Sequence, residues 1–180
     1  MTKDKGRKAV FIDRDGTLIE EVNFLSRAED LRFFSFTGEA VRLLKENGFL
    51  VIVITNQSGI GRGIFTEAAM RGIHEIIQTK LTEKIDAFYF CPHLPDAGCA
   101  CRKPKIGMIK QALADFAIDL ENSWFVGDKA IDVETGRNAN VKTALVLTGY
   151  GKQAIEQLEI QPDLTAKNLL QAARRIVNRE

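Results

Sequence analysis

Apolar residues run along this chain in two alternating patterns. Short continuous stretches at 9–12, 49–54, 87–90, 124–126 and 143–147 read as five strands. Runs that are apolar on both faces suit strands buried inside a parallel sheet. Between them, apolar positions recur at helical spacing. Thr37 is expected to cap a helix carrying Ala40, Val41, Leu43 and Leu44, which Gly48 ends. Thr66 opens a longer helix with Met70, Ile73, Ile76, Ile77 and Leu81 on one face. Helices over 107–116 and 130–138 follow, and a last amphipathic one runs from 168 to 178. The stretch 151–167 reads as a short helix and an edge strand. This alternation predicts an α/β fold, a Rossmann-like open parallel sheet with helices on both faces. The chain has 180 residues, which suits a single domain spanning 1–180.

In open α/β sheets, ligands bind beyond the C-terminal ends of the strands. After the first strand come Asp13, Arg14, Asp15, Gly16 and Thr17, and after the second Thr55, Asn56, Gln57, Ser58 and Gly59. The third leads into Cys91, His93, Cys99, Cys101, Arg102 and Lys103. The fourth leads into Gly127, Asp128 and Lys129, with Asp132 one turn on. Four strands thus deliver reactive groups to one edge, which a merely structural sheet does not need. Asp13 and Asp15 are two apart and can face the same way where the strand ends. Two carboxylates forced together invite a divalent cation, and Gly16 lets the chain turn away sharply. Alone, the pair equally suits an Asp/Gly turn or a fragment of a calcium loop. Asp128 adds a third carboxylate, and three oxygens plus waters suit magnesium.

All three cysteines fall within 91–101, and an odd number so close together is a poor disulfide framework. With His93 they form a Cys₃His set, which saturates a tetrahedral structural zinc. The bland alternative is free thiols near a strand end. The loop 91–104 has little apolar material to order itself, and zinc would supply that order. Fixing Cys101 would also fix where Lys103 enters the site. Lys plus Arg number 25 against 24 Asp plus Glu, so nothing favours a nucleic-acid partner. The longest apolar run, 49–54, is too short to span a membrane, and the charged start of the chain lacks a secretory h-region. The expected setting is a reducing cytoplasm, and the expected state a monomer.

In order, Asp13-Arg-Asp-Gly-Thr17, Thr55-Asn56, Lys103 and Gly127-Asp128 resemble the four-part signature of the haloacid dehalogenase superfamily of phosphatases, over residues 8–150. The Cys-x-His and Cys-x-Cys-Arg-Lys-Pro segments and Asn56-Gln-Ser-Gly-Ile60 narrow the match to the branch of heptose-bisphosphate and histidinol phosphatases. The resemblance implies the haloacid dehalogenase fold and an aspartyl-phosphate intermediate. It implies Asp13 as nucleophile and Asp15 as acid and base. Magnesium is expected on Asp13, Asp15 (through its backbone carbonyl) and Asp128. Thr55 and Lys103 match phosphate-holding positions, and Asp132 is expected behind the ligands. Ile19 departs from the family pattern, where Asn is common.

A phosphate monoester is a dianion that repels an anionic nucleophile. A cation on Asp13 and Asp128, with the Lys103 ammonium, would offset that repulsion. Asn56, Gln57, Ser58, Arg62, Arg102 and Lys129 are the candidate substrate contacts. The stretch between Asp13 and Thr55 is too short for a large cap domain, so the 18–36 segment and the zinc loop should rim the site. The expected substrate is a small phosphorylated one: the 7-phosphate of a heptose 1,7-bisphosphate, with histidinol phosphate as the alternative. A non-catalytic, zinc-stabilised binding module is the alternative of another class. Arg14 and His74 are expected at the surface, and the glycine-rich 59–63 as a flexible turn beside the site.

Overall fold

Strand β1 (Ala9–Ile12) is the axis of the fold, and all four of its residues are buried. The computed structural model describes residues 6–178. After β1, α1 (Thr37–Glu46) leads to β2 (Leu50–Asn56). A single turn, α2 (Ser58–Gly61), and the long α3 (Glu67–Lys80) lead to β3 (Ala87–Cys91). Then come α4 (Gly107–Asp115), β4 (Trp124–Gly127), α5 (Ala130–Asn138) and β5 (Lys142–Val146). The short α6 (Gly151–Ala154), β6 (Leu164–Ala166) and α7 (Leu169–Val177) complete the chain. The sheet has six strands in the order β3-β2-β1-β4-β5-β6, and every neighbouring pair is parallel.

The chain winds outward from β1 through β2 to β3. It then returns to place β4 on the other side of β1 and winds the opposite way. The reversal opens a crevice between β1 and β4, the place where such sheets bind ligands. Register levels the strand ends there: Ile12 pairs with Val53 on one side and Val126 on the other. Asp13 donates its amide to the Val126 carbonyl at 2.9 Å, so Asp13 and Asp128 leave neighbouring strands side by side.

The side-chain period of two divides the core between two faces. Val10, Ile12, Val51, Val53 and Val126 pack with α1, α3 and α7 in one cluster. Ala9, Phe11, Leu50, Ile52, Ile54 and Phe125 pack with α4 in the other. This explains why β1 and β2 read as unbroken apolar runs: both faces are covered. All five expected strands are present. The 151–167 stretch holds α6 and the edge strand β6. Strand β2 runs on to Asn56 because β3 still pairs with it there, Asn56 opposite Cys91. Thr66 caps α3 as expected, accepting from the Ala69 amide at 3.1 Å. Thr37 does not cap α1. It is the first helical residue, and its hydroxyl instead donates to the Leu18 carbonyl at 2.7 Å, tying the helix to the turn after β1.

Helix α5 lies close on β4 and β5 through Gly136, where an added Cβ would run into Thr143 Cγ2 and stand 2.9 Å from Phe125 Cβ. Alanine is the better helix former by about 1 kcal/mol, but overpacking a tight core costs about 1–3 kcal/mol. Gly136→Ala is therefore expected to destabilise the protein. A urea midpoint that rises instead of falling would show that α5 has room to move.

Candidate active site

Asp13 leaves β1 buried, with 4% of its surface exposed, and its carboxylate is anchored on one side. Oδ1 accepts from the Lys103 ammonium at 2.9 Å and from the Arg14 amide at 2.9 Å. Oδ2 takes no hydrogen bond from the described residues. Lys103 is also buried, and Nζ reaches Asp132 Oδ1 at 2.6 Å. The other Asp132 oxygen accepts the Lys129 amide at 3.0 Å, which fixes the turn from β4 into α5. Asp128, fully buried, accepts from the Tyr150 amide at 2.8 Å and the Thr17 hydroxyl at 3.5 Å. Gly16 stands at φ +86°, and a Cβ there would run into Asp128, so the turn after β1 needs glycine on both counts.

Carboxylate oxygens of Asp13, Asp128 and Asp132 lie within 4.8 Å of one another. Three carboxylates against the Lys103 ammonium leave an excess of buried negative charge, and the acidities show it. Burial pulls the Asp13 carboxyl up, but Lys103 and Lys129 outweigh it and hold it below the usual range. Burial, with Asp13 and Asp132 nearby, pushes Asp128 up to about 8. Burial also raises Asp132, against the pull of Lys103. Burial opposes the charge on Lys103, yet Asp13 and Asp132 keep it firmly protonated. A site that cannot ionise all its carboxylates unaided suits a hard divalent cation. Asp13 Oδ2 stays uncommitted, whereas both oxygens of Asp132 are engaged at 2.6 and 3.0 Å and those of Asp128 accept at 2.8 and 3.5 Å, the longer bond from Thr17.

The Asp15 side chain lies outside this carboxylate group. Arg14 forks onto it through Nε and Nη2 at 3.0–3.2 Å, and Gln57 Nε2 donates to its Oδ2 at 2.9 Å. Gln57 also donates to the Thr55 hydroxyl oxygen at 2.8 Å, which leaves the Thr55 proton to donate elsewhere. Asn56 spends its amide on the Lys103 backbone, accepting from N at 3.0 Å and donating to O at 3.4 Å. Asp13, Asp15, Thr55, Asn56, Ser58, Arg102, Lys103 and Lys129 share the wall of one cleft of about 300 Å³. A smaller recess of about 120 Å³ adjoins it through Asp15, Asn56, Ser58 and Lys129, and residues 21–25 wall it. Arg62 lines neither. It is exposed and lies over the Phe24 ring at 5.9 Å.

Three expectations about this neighbourhood are corrected. Arg14 is completely buried, because Asp15 and Gln57 satisfy its charge inside the fold. His74 is 7% exposed and stacks on Phe88 at 4.4 Å, so it is no solvated helix residue. The 59–63 segment starts as the packed turn α2: the Gly61 amide donates to Pro92 O at 2.9 Å, and a Cβ at Gly59 would run into Phe65.

Cys91, His93, Cys99 and Cys101 converge as one group, all thiols free. Cys91 Sγ lies 3.2 Å from Cys101 Sγ and 3.6 Å from Cys99 Sγ. His93 Nδ1 lies 3.2 Å from Cys101 Sγ and 3.5 Å from Cys91 Sγ. In tetrahedral zinc coordination, usual bond lengths separate two sulfurs by about 3.8 Å and a nitrogen from a sulfur by about 3.6 Å. The donor set fits such an ion. Cys91 ends β3 opposite Asn56, and the Gln57 amide donates to Cys91 O at 2.7 Å, so the loop is joined to the site.

Comparison with known proteins gives a consistent picture. The HAD-hydrolase-like family profile matches residues 100–172. The chain is 39% identical to the D-glycero-beta-D-manno-heptose-1,7-bisphosphate 7-phosphatase of Haemophilus ducreyi, over 92% of this chain and 96% of that protein. It is 37% identical to the Yersinia pestis protein of the same name, over 89% and 90%. The crystal structure of D,D-heptose 1,7-bisphosphate phosphatase from B. bronchiseptica, complexed with magnesium and phosphate, superposes with a TM-score of 0.89. That protein is 29% identical, with 96% of this chain and 99% of that chain covered.

The raised pKa of Asp128 has a consequence for stability. Without metal, the folded state holds a proton that the unfolded state releases near pH 4, up to about pH 8. This contribution is present at low pH and is lost as pH rises towards 8. A cation on Asp128 must displace that proton. Magnesium is therefore expected to raise the Tm of chelator-treated protein more at pH 8 than at pH 6. Calorimetry showing equal gains at both would remove Asp128 from the ligand set.

Proposed function

The chain belongs to the haloacid-dehalogenase-like phosphatase family that includes the D-glycero-D-manno-heptose-1,7-bisphosphate 7-phosphatases, and we propose that it removes the 7-phosphate of such a heptose bisphosphate. The observation that carries this reading is the half-anchored Asp13. Lys103 and the Arg14 amide hold one oxygen and leave the other for attack on phosphorus, at the wall of a cleft shared with Asp15, Thr55 and Lys103. The names of the relatives favour the heptose over histidinol phosphate.

Asp13 forms the aspartyl phosphate, and Asp15 gives a proton to the leaving sugar oxygen. Asp15 then takes a proton from the water that cleaves the intermediate. Lys103 stabilises charge on the phosphoryl oxygens beside the attacking carboxylate, and the Thr55 hydroxyl donates to one of them. Lys129, at the wall of both recesses, and Arg102 add positive charge for the rest of the substrate. Asn56 and Gln57 contribute mainly by holding Lys103, Asp15 and Thr55 in place. Magnesium on Asp13 and Asp128 would neutralise the approach of two anions and align the phosphoryl group.

Among the described residues no helix is long and apolar enough to cross a membrane. Free thiols holding zinc call for a reducing compartment, and we place the protein in the cytoplasm.

With magnesium, the protein is expected to release phosphate from the heptose bisphosphate much faster than from histidinol phosphate. Asp13→Asn should stay folded and lose activity by several orders of magnitude. Wild-type turnover in that variant would sink the assignment. For the loop, protein purified without chelator is expected to carry about one zinc per chain. Cys99→Ser is expected to lose the metal and lower kcat by displacing Lys103. Metal analysis that finds no zinc, or a zinc-free variant with full kcat, would separate the loop from the chemistry.

A further inference from the structure

A fully buried arginine needs partners for all its donors. Arg14 spends Nε and one Nη2 proton on Asp15 and donates from Nη2 to Gln57 Oε1 at 3.1 Å. Its remaining nitrogen, Nη1, meets His74 Nε2 at 3.3 Å. No other partner for Nη1 is present among the described residues. We propose that His74 is a positioning residue for the reaction: as a neutral acceptor through Nε2 it fixes the Arg14 guanidinium, which fixes the Asp15 carboxyl at the wall of the cleft. The inference rests on the phosphatase reading and on Asp15 as its proton-transfer group.

A guanidinium has only donors. The contact is attractive in one state of the ring, with the proton on Nδ1 and the lone pair on Nε2. Burial, and then the charges of Arg14 and Arg71, push the His74 pKa down to about 3, so the ring is neutral at working pH. Its plane is set by stacking on Phe88 at 4.4 Å and by an edge contact with Phe90 at 6.4 Å. Gln57 carries the same order further. Its oxygen accepts from Arg14, so its amide nitrogen must face Asp15 and Thr55. A continuous polar chain therefore runs from α3 through β1 to the end of β2. His74 lines neither recess of the active site and acts only through Arg14.

The leaving group separates positioning from bulk stability. A sugar alkoxide needs a proton to depart, and a nitrophenolate does not; the later water step uses Asp15 for both substrates, so a fault in Asp15 separates them in kcat/KM, which reports the phosphorylation step. His74→Phe keeps the ring on Phe88 and removes the acceptor, whereas His74→Gln supplies an oxygen with similar reach. H74F is expected to lower kcat/KM on the sugar phosphate about tenfold or more, with a much smaller change in kcat/KM on 4-nitrophenyl phosphate. H74Q is expected to recover most of the loss. Equal losses of kcat/KM on both substrates, or no loss on either, overturn the proposal. Nitrogen NMR of the wild-type protein tests it without any variant. His74 should be the neutral Nδ1–H tautomer at pH 6, and an Nε2–H tautomer or an imidazolium overturns the proposal. A wild-type protein that releases phosphate from neither substrate would instead overturn the phosphatase reading.

Discussion

The site depends on one buried ammonium. Lys103 is 3% exposed, and among the described residues Asp13 and Asp132 are the carboxylates that meet its charge. Burying such a group costs several kcal/mol, which close carboxylates roughly offset. The gain lies in position. Lys103 orients Asp13, and through Asp132 it also pins the Lys129 amide and the turn that carries Asp128. Gly127 makes the approach possible, since a Cβ there would run into Asp132. A single charge thus holds together two strand ends on either side of the sheet's reversal.

The Lys103 backbone is fixed from two further directions. Asn56, at the end of β2, takes both its amide and its carbonyl. Two residues earlier, Cys101 belongs to the four-donor group of Cys91, His93, Cys99 and Cys101. The loop is therefore more than a stabilising clip. Lys105 also donates into it at the Cys99 carbonyl, 2.7 Å away, so both sides of Lys103 are tied to the cysteine loop. A lysine on a free loop would lose much of its orientation to side-chain and backbone entropy. Here the ordering is done before substrate arrives, as electrostatic stabilisation of a transition state requires.

The strands and the strand-end chemistry were legible because both rest on short-range signals. Apolar runs mark strands buried on both faces, and Asp13, Thr55 and Asp128 follow them directly. Residue type misled where one distant partner decides the outcome. Arginine and histidine are usually exposed, but Arg14 finds Asp15, Gln57 and His74, and His74 finds Phe88, and no local pattern announces those meetings. Thr37 had the residue type and place of a cap, and the Leu18 carbonyl claimed its hydroxyl first. Asn56 read as a substrate contact, and its pairing with a backbone 47 positions away became visible only in the fold.

In the proposed reaction, Asp13 and Asp15 show how one residue type would serve two purposes. They stand two apart on the same strand exit, yet their surroundings share almost nothing. Asp13 is buried, held at one oxygen by an ammonium and a backbone amide, with the other oxygen uncommitted. A nucleophile needs that asymmetry, because attack uses one oxygen along one line. Asp15 is more open, and its oxygens accept from a guanidinium and an amide that belong to a wider polar chain. A proton-transfer group must release and regain such bonds in each cycle, so it gains from neighbours that define the place to which it returns. Strand alternation alone would turn both aspartates the same way, but β1 ends at Ile12 and the turn beyond it parts them: Arg14 lies between, giving its amide to Asp13 and its side chain to Asp15.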